Sequence, residues 1–516
     1  MVSARAPALF VCVLVTLFCT VSASCSDVKH VYTEMGFNPE SVPENYTTDV
    51  HLRVCEKQNW TCCSAEMEQN LVNRSTDDFL KIVDEVTENL RNTFESRHKR
   101  FDDFFLDLLN ETEHSLNLMF TRTYGDPYMQ NADIFHEMFL NLKRYYLGGN
   151  VNLEEIINNF WTCLMERMFQ LLNSQYNIND DYMECVNKQM DELKPFGETP
   201  KILKAQVTKA FVSARTFVEG LKLGKEIVNN ATQVGMSSKC ISDVTDMLYC
   251  VYCQGLITTK PCAAFCKGVM SHCLNPQIEI SFQWKKYIDA MLLMVERLEG
   301  PINIESVMET IDVKISDAIM NMQDKTMEIS YQVFGDCGQP KLLEKNRSSR
   351  AIPDQFDAEY LPNNSSGTSL QKLVSDVKQK LVEFRLFWES LPILMCNHKN
   401  VSTPEERNEG NCWNGRAEFW ETSSVSGFLN QGMMDFSTLI ANLNQVYSGQ
   451  QLQSDDSSYE MESGSGSGVD CVESCDNNPN LFTTDQPGTK SSTRILHPSC
   501  TLILILVILT LICYHR

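Results

Sequence analysis

Three serines in the run Ser463-Gly464-Ser465-Gly466-Ser467-Gly468 are the side chains best placed for chemistry, as acceptors of a group rather than as catalysts. Acidic residues flank them, with Asp455, Asp456, Glu460 and Glu462 before and Asp470 and Glu473 after. A stretch with so little apolar surface has nothing to bury in a core and stays open to enzymes. Xylosyl transfer to serine, the first step of glycosaminoglycan synthesis, favours Ser-Gly repeats beside acidic clusters. A plain Gly/Ser spacer would need neither the strict alternation nor the flanking acid. The spacing therefore points to Ser463, Ser465 and Ser467 as glycosaminoglycan attachment sites. The pair Ser366-Gly367 has no close acidic neighbours, and Ser426-Gly427 and Ser448-Gly449 stand alone, so these are expected to stay bare.

No catalytic constellation competes with this reading, and no enzyme activity or cofactor is expected. His136-Glu137-Met138-Phe139-Leu140 lacks the second histidine of a zinc-protease helix. Neither a G-x-S-x-G elbow nor a Walker loop occurs. Asp102-Asp103 and Glu154-Glu155 read as solvated helix faces.

Both ends of the chain point to the secretory route. Residues 1–24 carry Arg5, an apolar run from Ala8 to Val15, and the small-residue pattern Val21-Ser22-Ala23, which is a signal peptide. Near the C-terminus the apolar run Thr501 to Cys513 is thirteen residues long, against about 20 for a spanning helix. Ser491-Ser492-Thr493 and a polar spacer precede it. Small residues, spacer and tail make a glycosylphosphatidylinositol (GPI) signal, with attachment expected at Ser491 and residues 492–516 removed. The alternative for this tail is a short single-pass anchor. The formal charge of −23 argues against nucleic acid as a partner. Sulfated chains would deepen that charge and select basic partners.

Cysteine use fits an oxidising compartment. Of 21 cysteines, 17 remain once Cys12, Cys19, Cys500 and Cys513 leave with the two signals. In the cytosol Cys250-x-x-Cys253 would suggest zinc or redox chemistry, but in a secreted chain a structural disulfide is the stronger reading. The odd count leaves at least one thiol over, and Cys163, on the apolar stretch Asn159 to Leu164, is the candidate for a buried, inert one. Nine Asn-x-Ser/Thr sequons stand at Asn45, Asn59, Asn73, Asn110, Asn230, Asn346, Asn363, Asn364 and Asn400. Asn73 and Asn110 flank a strongly amphipathic region and are the favoured exposed sites. Arg347-Ser348-Ser349-Arg350 meets the minimum for a furin-like convertase and sits in a polar stretch where Pro353 discourages helix, so cleavage is expected after Arg350. Arg97-His98-Lys99-Arg100 matches such a site too, but lies within a helical pattern that should protect it.

The elements that hold these features read as helices. Residues 78–120 place Leu80, Val83, Val86, Leu90 and Phe94 on one stripe and continue through Phe101, Phe105 and Leu109, with Asp77 and Asp78 suited to the start. The same period recurs over 205–221, 284–298 and 370–388. Alternating strand patterns are scarce. An all-α core from residue 25 to 420 is long enough for a large interior, and residues 421–491 read as a stalk, polar, acidic and Ser/Gly-rich from Gly449 to Lys490.

Several stretches resemble the glypicans, GPI-linked heparan sulfate proteoglycans. They are Cys55 to Cys63 with Met67 to Ser75, Arg100 to Phe104, Leu193-Lys194-Pro195-Phe196-Gly197, Ala210 to Arg215 and Cys412-Trp413-Asn414-Gly415. Val313 to Gln323 is most similar to the branch holding glypicans four and six. The resemblance implies an elongated, disulfide-stapled helical core with an N-terminal cysteine-rich lobe built from 25–63 and 240–273 with 396–412. It also implies the bridges Cys25–Cys62, Cys55–Cys250, Cys63–Cys253, Cys185–Cys337, Cys240–Cys273, Cys262–Cys412 and Cys266–Cys396, a connectivity that spacing alone cannot give. Cys163 is extra to that set. The function implied is a cell-surface co-receptor on the outer leaflet, held by its GPI lipid. It would bind and present basic, heparin-binding growth factors and morphogens (Wnt, Hedgehog, FGF and BMP types) to signalling receptors. The alternative is a protein-recognition module whose helical core binds ligands independently of the glycan.

Overall fold

The computed structural model describes residues 25–48, 51–55, 60–233, 235–343, 369–404, 412–415 and 430–448. They form an all-α body with fourteen helices of nine residues or more. In chain order these are α1 (Ser26–Glu34), α2 (Ala65–Tyr124), α3 (Ala132–Tyr146), α4 (Leu153–Leu172), α5 (Asp180–Leu193), α6 (Thr199–Ala231) and α7 (Ser238–Leu248). Then follow α8 (Ala263–Cys273), α9 (Ser281–Glu299), α10 (Ile311–Asp324), α11 (Thr326–Asp336), α12 (Leu370–Phe384), α13 (Phe387–Asn397) and α14 (Asn430–Tyr447). The strands β1 (Tyr176–Asn177) and β2 (Lys341–Leu342) pair antiparallel, Tyr176 opposite Leu342.

Helix α2 is the spine, 60 residues long and so roughly 90 Å from end to end. It begins well before the expected Asp77, because the Ser64 side chain accepts the Met67 N–H at 3.1 Å and caps the first turn. Asp78 is instead a mid-helix residue. The helix stops at Gly125, whose φ of 59° is left-handed. Its buried stripe, Leu71, Phe79, Val83, Leu90, Phe94, Phe101, Phe105, Leu109, Leu116 and Phe120, repeats every four, seven or eight residues and faces α6 for much of its length.

Helix α6 is the central packing partner and is longer than the expected 205–221. Near its middle Gly220 and Gly224 leave no room for a side chain. A Cβ on Gly224 would press into Tyr287 of α9 and Phe94 of α2, and the Tyr287 hydroxyl donates to the Gly220 carbonyl at 2.9 Å. Aromatic side chains of α2 and α9 thus pack directly on the α6 backbone.

Two further boundaries differ from the sequence expectation. The single helix expected over 370–388 is broken at Arg385-Leu386 into α12 and α13. The carbonyl of Phe384, no longer used by a helical N–H, accepts the indole N–H of Trp284 at 2.8 Å, and Trp388 packs edge-on against Trp284 with ring centroids 6.0 Å apart. The core also does not end at residue 420. Helix α14 packs on α9 and α6, burying Leu443 and Val446 completely or nearly so. Its apolar positions Leu439, Ile440, Leu443 and Val446 make a short stripe that polar neighbours hide in the composition.

Candidate functional site

The attachment serines Ser463, Ser465 and Ser467, the anchor residue Ser491 and the convertase site at Arg350 lie outside the described residues, as do Asn59, Asn346, Asn363 and Asn364. The described residues form the platform that would carry them, and its most constrained part is the cysteine-rich lobe.

Among the described residues, seven disulfides join Cys25 to Cys62, Cys55 to Cys250, Cys63 to Cys253, Cys185 to Cys337, Cys240 to Cys273, Cys262 to Cys412 and Cys266 to Cys396. They are the same seven pairs that the resemblance implies. Six of them staple the start of α2, helices α7 and α8 and the segments before and after them into one lobe. The seventh, Cys185–Cys337, ties α5 to the end of α11 beside the β1–β2 pair. Cys163 stands outside the bridges and is buried within α4.

Side chains finish what the sulfurs begin. The Glu68 carboxylate is buried and accepts three backbone N–H groups, from Arg53 at 2.9 Å and from Val54 and Cys55 at 2.8 Å each. It therefore shapes the loop that presents Cys55 to Cys250. This role was missed in the sequence, yet a signal was there: Glu68 sits on the same stripe as Leu71, Ser75 and Phe79, where an acid is costly without donors. Ser75 and Thr245 share a buried hydroxyl–hydroxyl bond of 2.6 Å between α2 and α7. The Tyr249 hydroxyl donates to Asp78, which also holds Arg74 at 3.0 Å. Burial, reinforced by that bond to the Asp78 carboxylate, pushes the Tyr249 phenol above its ordinary value. At the far edge, Trp413 is stitched to the Lys260–Cys262 segment. Its N–H donates to the Lys260 carbonyl, its carbonyl accepts from Cys262, and its indole donates to the Asp246 carbonyl, each at 2.8 Å. Gly415 follows at φ 57° with its α-carbon against Phe265, which no side chain could tolerate.

The sequons within the described residues all present their asparagine on the surface: Asn45, Asn73, Asn110, Asn230 and Asn400 are exposed. Asn73 and Asn110 both lie on the outer side of α2. The Arg97-His98-Lys99-Arg100 motif is helical, and Arg97 is anchored by the Asp376 carboxylate of α12 at 3.0 Å. A protease that binds its substrate extended meets a packed helix there. Among the described residues, no group of three or more His, Cys, Asp or Glu side chains is placed to hold a metal ion, and no helix is long and apolar enough to cross a membrane.

The whole platform recurs in known proteins. The family model for glypicans matches residues 18–427. The chain belongs to the glypican family. It is 35% identical to glypican-1 of Gallus gallus over 469 residues, covering 87% of this chain and 84% of the relative. It is 33% identical to human glypican-2 over 408 residues, covering 77% of this chain and 70% of that relative. Among solved structures, the crystal structure of C-terminally truncated glypican-1 superposes with a TM-score of 0.73 at 32% identity and covers 84% of this chain and 100% of that one. These relatives are of glypican-1 and glypican-2 type, so the expected placement in the branch of glypicans four and six is not supported. Membership supports a cell-surface heparan sulfate proteoglycan role and the reading of the chain as a disulfide-bonded glycoprotein core.

Proposed function

We propose that this glypican carries heparan sulfate on Ser463, Ser465 and Ser467, is held on the outer leaflet by a GPI lipid at Ser491, and acts as a co-receptor that captures basic growth factors and morphogens. The observation that carries the reading is the Ser-Gly repeat set in acid, on a member of the glypican family. Sulfate clusters bind Lys/Arg surfaces through charge-assisted contacts that weaken steeply as salt is added. Ser467 stands 24 residues before Ser491, and a flexible coil of that length spans roughly 25–30 Å. The chains would then leave close to the membrane, where signalling receptors sit. The helical body contributes a stiff platform, not a reaction.

The test is ligand capture by the anchored protein before and after heparinase. Loss of binding on digestion supports the reading. In parallel, replacing all three serines by alanine should turn a broad heparinase-sensitive smear into a sharp band near the N-glycosylated mass. A smear that persists in the triple mutant refutes the assignment, with Ser366 the next site to test.

A second reading, direct ligand binding by the core, draws support from one neighbour. The structure of Dally-like protein in complex with O-palmitoleoyl serine has a TM-score of 0.64 and 29% identity, covering 83% of this chain and 99% of that one. In this chain the apolar seam between α2, α6 and α12, lined by Phe94, Leu221, Val377, Leu381 and Phe384, encloses only about 10 Å³. An acyl chain would enter there only if α12 moved. Binding of an acylated ligand that survives in the triple serine mutant would favour this reading over the first.

A further inference from the structure

A polar cavity of about 220 Å³ opens between the end of α2 and the start of α3, lined by Glu113, Asn117, Tyr128, Asp133, Phe135 and His136 among others. Its walls are held by a closed set of bonds. The Glu113 carboxylate takes His136 Nδ1 at 2.7 Å on one oxygen and Lys143 Nζ at 2.6 Å on the other. Burial opposes ionisation of Glu113, but those two donors outweigh it and hold the carboxyl below its ordinary value. An ionised carboxylate at that distance requires the proton on His136 Nδ1, which turns Nε2 to the far side of the ring; His136 is exposed. The Tyr128 hydroxyl donates to Asn117 Oδ1 at 2.6 Å, so the amide nitrogen of Asn117 faces away from Tyr128. Burial, with the Glu113 carboxylate adding to it, pushes the Tyr128 phenol up to about 12, so it stays a donor.

The occupant is suggested by what stands beside the mouth. Asn110, an exposed sequon asparagine, precedes Glu113 by three residues and Asn117 by seven, and these spacings share one helix face. At 1.5 Å per residue the centre of the cavity lies about 5–10 Å further along α2, the reach of the first one or two sugars of an N-linked glycan. The lining alternates amide, imidazole and carboxylate with the apolar Leu116, Ala132 and Phe135. That mixture suits N-acetylglucosamine, which presents an amide and hydroxyls on its edge and apolar C–H groups and a methyl on its faces. Glu113 is already neutralised by its own partners, which argues against a cationic guest.

We infer that the cavity is the seat of the glycan's own core: the N-acetylglucosamine pair attached to Asn110 folds along α2 and docks between Asn117, His136 and Asp133. A free sugar would hold such a site weakly. Attachment one turn away supplies an effective concentration in the millimolar range, which makes a weak site an occupied one. The glycan then covers the α2–α3 junction, where the spine ends at Gly125. The inference does not depend on heparan sulfate.

The test uses the full chain secreted from mammalian cells, with Asn73 as internal control. Peptide mass spectrometry reads occupancy at Asn110, and release of each glycan by an endoglycosidase is timed under native conditions. Release at Asn110 is expected to be about tenfold slower than at Asn73, the change given by one or two net hydrogen bonds. Asn117→Ala combined with Asp133→Ala, which also removes the acceptor of the Tyr128 hydroxyl and is compared only if its melting curve is unchanged, is expected to bring the two rates together. Equal rates in the unaltered protein overturn the inference, as does an Asn110 that carries no glycan. A slow release that the double variant leaves unchanged overturns it too, because the protection would then come from elsewhere.

Discussion

Cutting the chain anywhere in the segment 344–368 should leave one particle even after the bridges across the cut are reduced. Two disulfides cross that segment, Cys262–Cys412 and Cys266–Cys396. The C-terminal piece is also built into the core by α12, α13 and α14. Its buried apolar side chains include twelve from these three helices: Leu370, Leu373, Val374, Val377, Leu381, Phe384, Phe387, Trp388, Leu391, Met395, Leu443 and Val446. At about 1.5–3 kcal/mol each, their burial is worth roughly 18–36 kcal/mol. A compact unfolded reference lowers that to roughly 11–22 kcal/mol. Association of two pieces costs about 4–15 kcal/mol, so burial is the larger over most of the two ranges. Trp284 to Phe384, Arg385 to Asp289 and Arg97 to Asp376 add bonds across the same interface. The experiment places a site-specific protease sequence at Arg347–Arg350 and replaces Cys396 and Cys412 by serine. After cleavage, a denaturing gel should show two pieces and native size exclusion should show one. Elution of the C-terminal piece by itself under native conditions would refute the reasoning and make the two disulfides the sole link. Convertase cleavage after Arg350 would then release the stalk only upon reduction.

Other outcomes follow from single contacts. Glu68→Ala removes the acceptor of three backbone N–H groups, of which that of Cys55 is buried, at about 1–3 kcal/mol for a donor that stays dry; the urea midpoint should fall and the Cys55–Cys250 bridge should reduce faster, whereas an unchanged midpoint would show the loop to be solvated. Gly224→Leu forces a side chain into Tyr287 and Phe94 and should lower Tm by an amount equivalent to about 1–3 kcal/mol or more, read by calorimetry. Glu113 has a folded pKa below its unfolded value, so its contribution is present above pH ~4.3 and fades as pH falls through the folded pKa. Glu113→Gln should accordingly flatten the acid limb of the stability curve, and an unchanged acid limb would count against the pairing. Phosphatidylinositol-specific phospholipase C should release the protein from cells; retention, together with Tyr514-His515-Arg516 in the mature chain, would refute a GPI anchor at Ser491.

What the sequence determined by itself is what local chemistry encodes. The Ser-Gly repeat and its acid need no fold to be read, because the enzymes that use such segments act on extended chain. Helical period is likewise local: the stripes around Leu90, Phe217, Met291 and Val377 are visible as spacing, since a helix repeats its face every 3.6 residues. The exposure of Asn73 and Asn110 follows from the same stripes. Tertiary structure decided which of the possible helix starts and breaks are used. Ser64 caps α2 in a segment held by the neighbouring Cys62 and Cys63 bridges, and Phe384 gives up its helical acceptor role because Trp284 offers a donor from another helix. The four short apolar positions of α14 count as core only when the grooves of α6 and α9 are there to receive them. Disulfide partners stand up to 195 residues apart, and nothing in one cysteine's neighbourhood names the other. Glu68 and the α2–α3 cavity belong to the same class, because a buried carboxylate is defined by donors from a distant loop and a cavity by walls that only folding brings together.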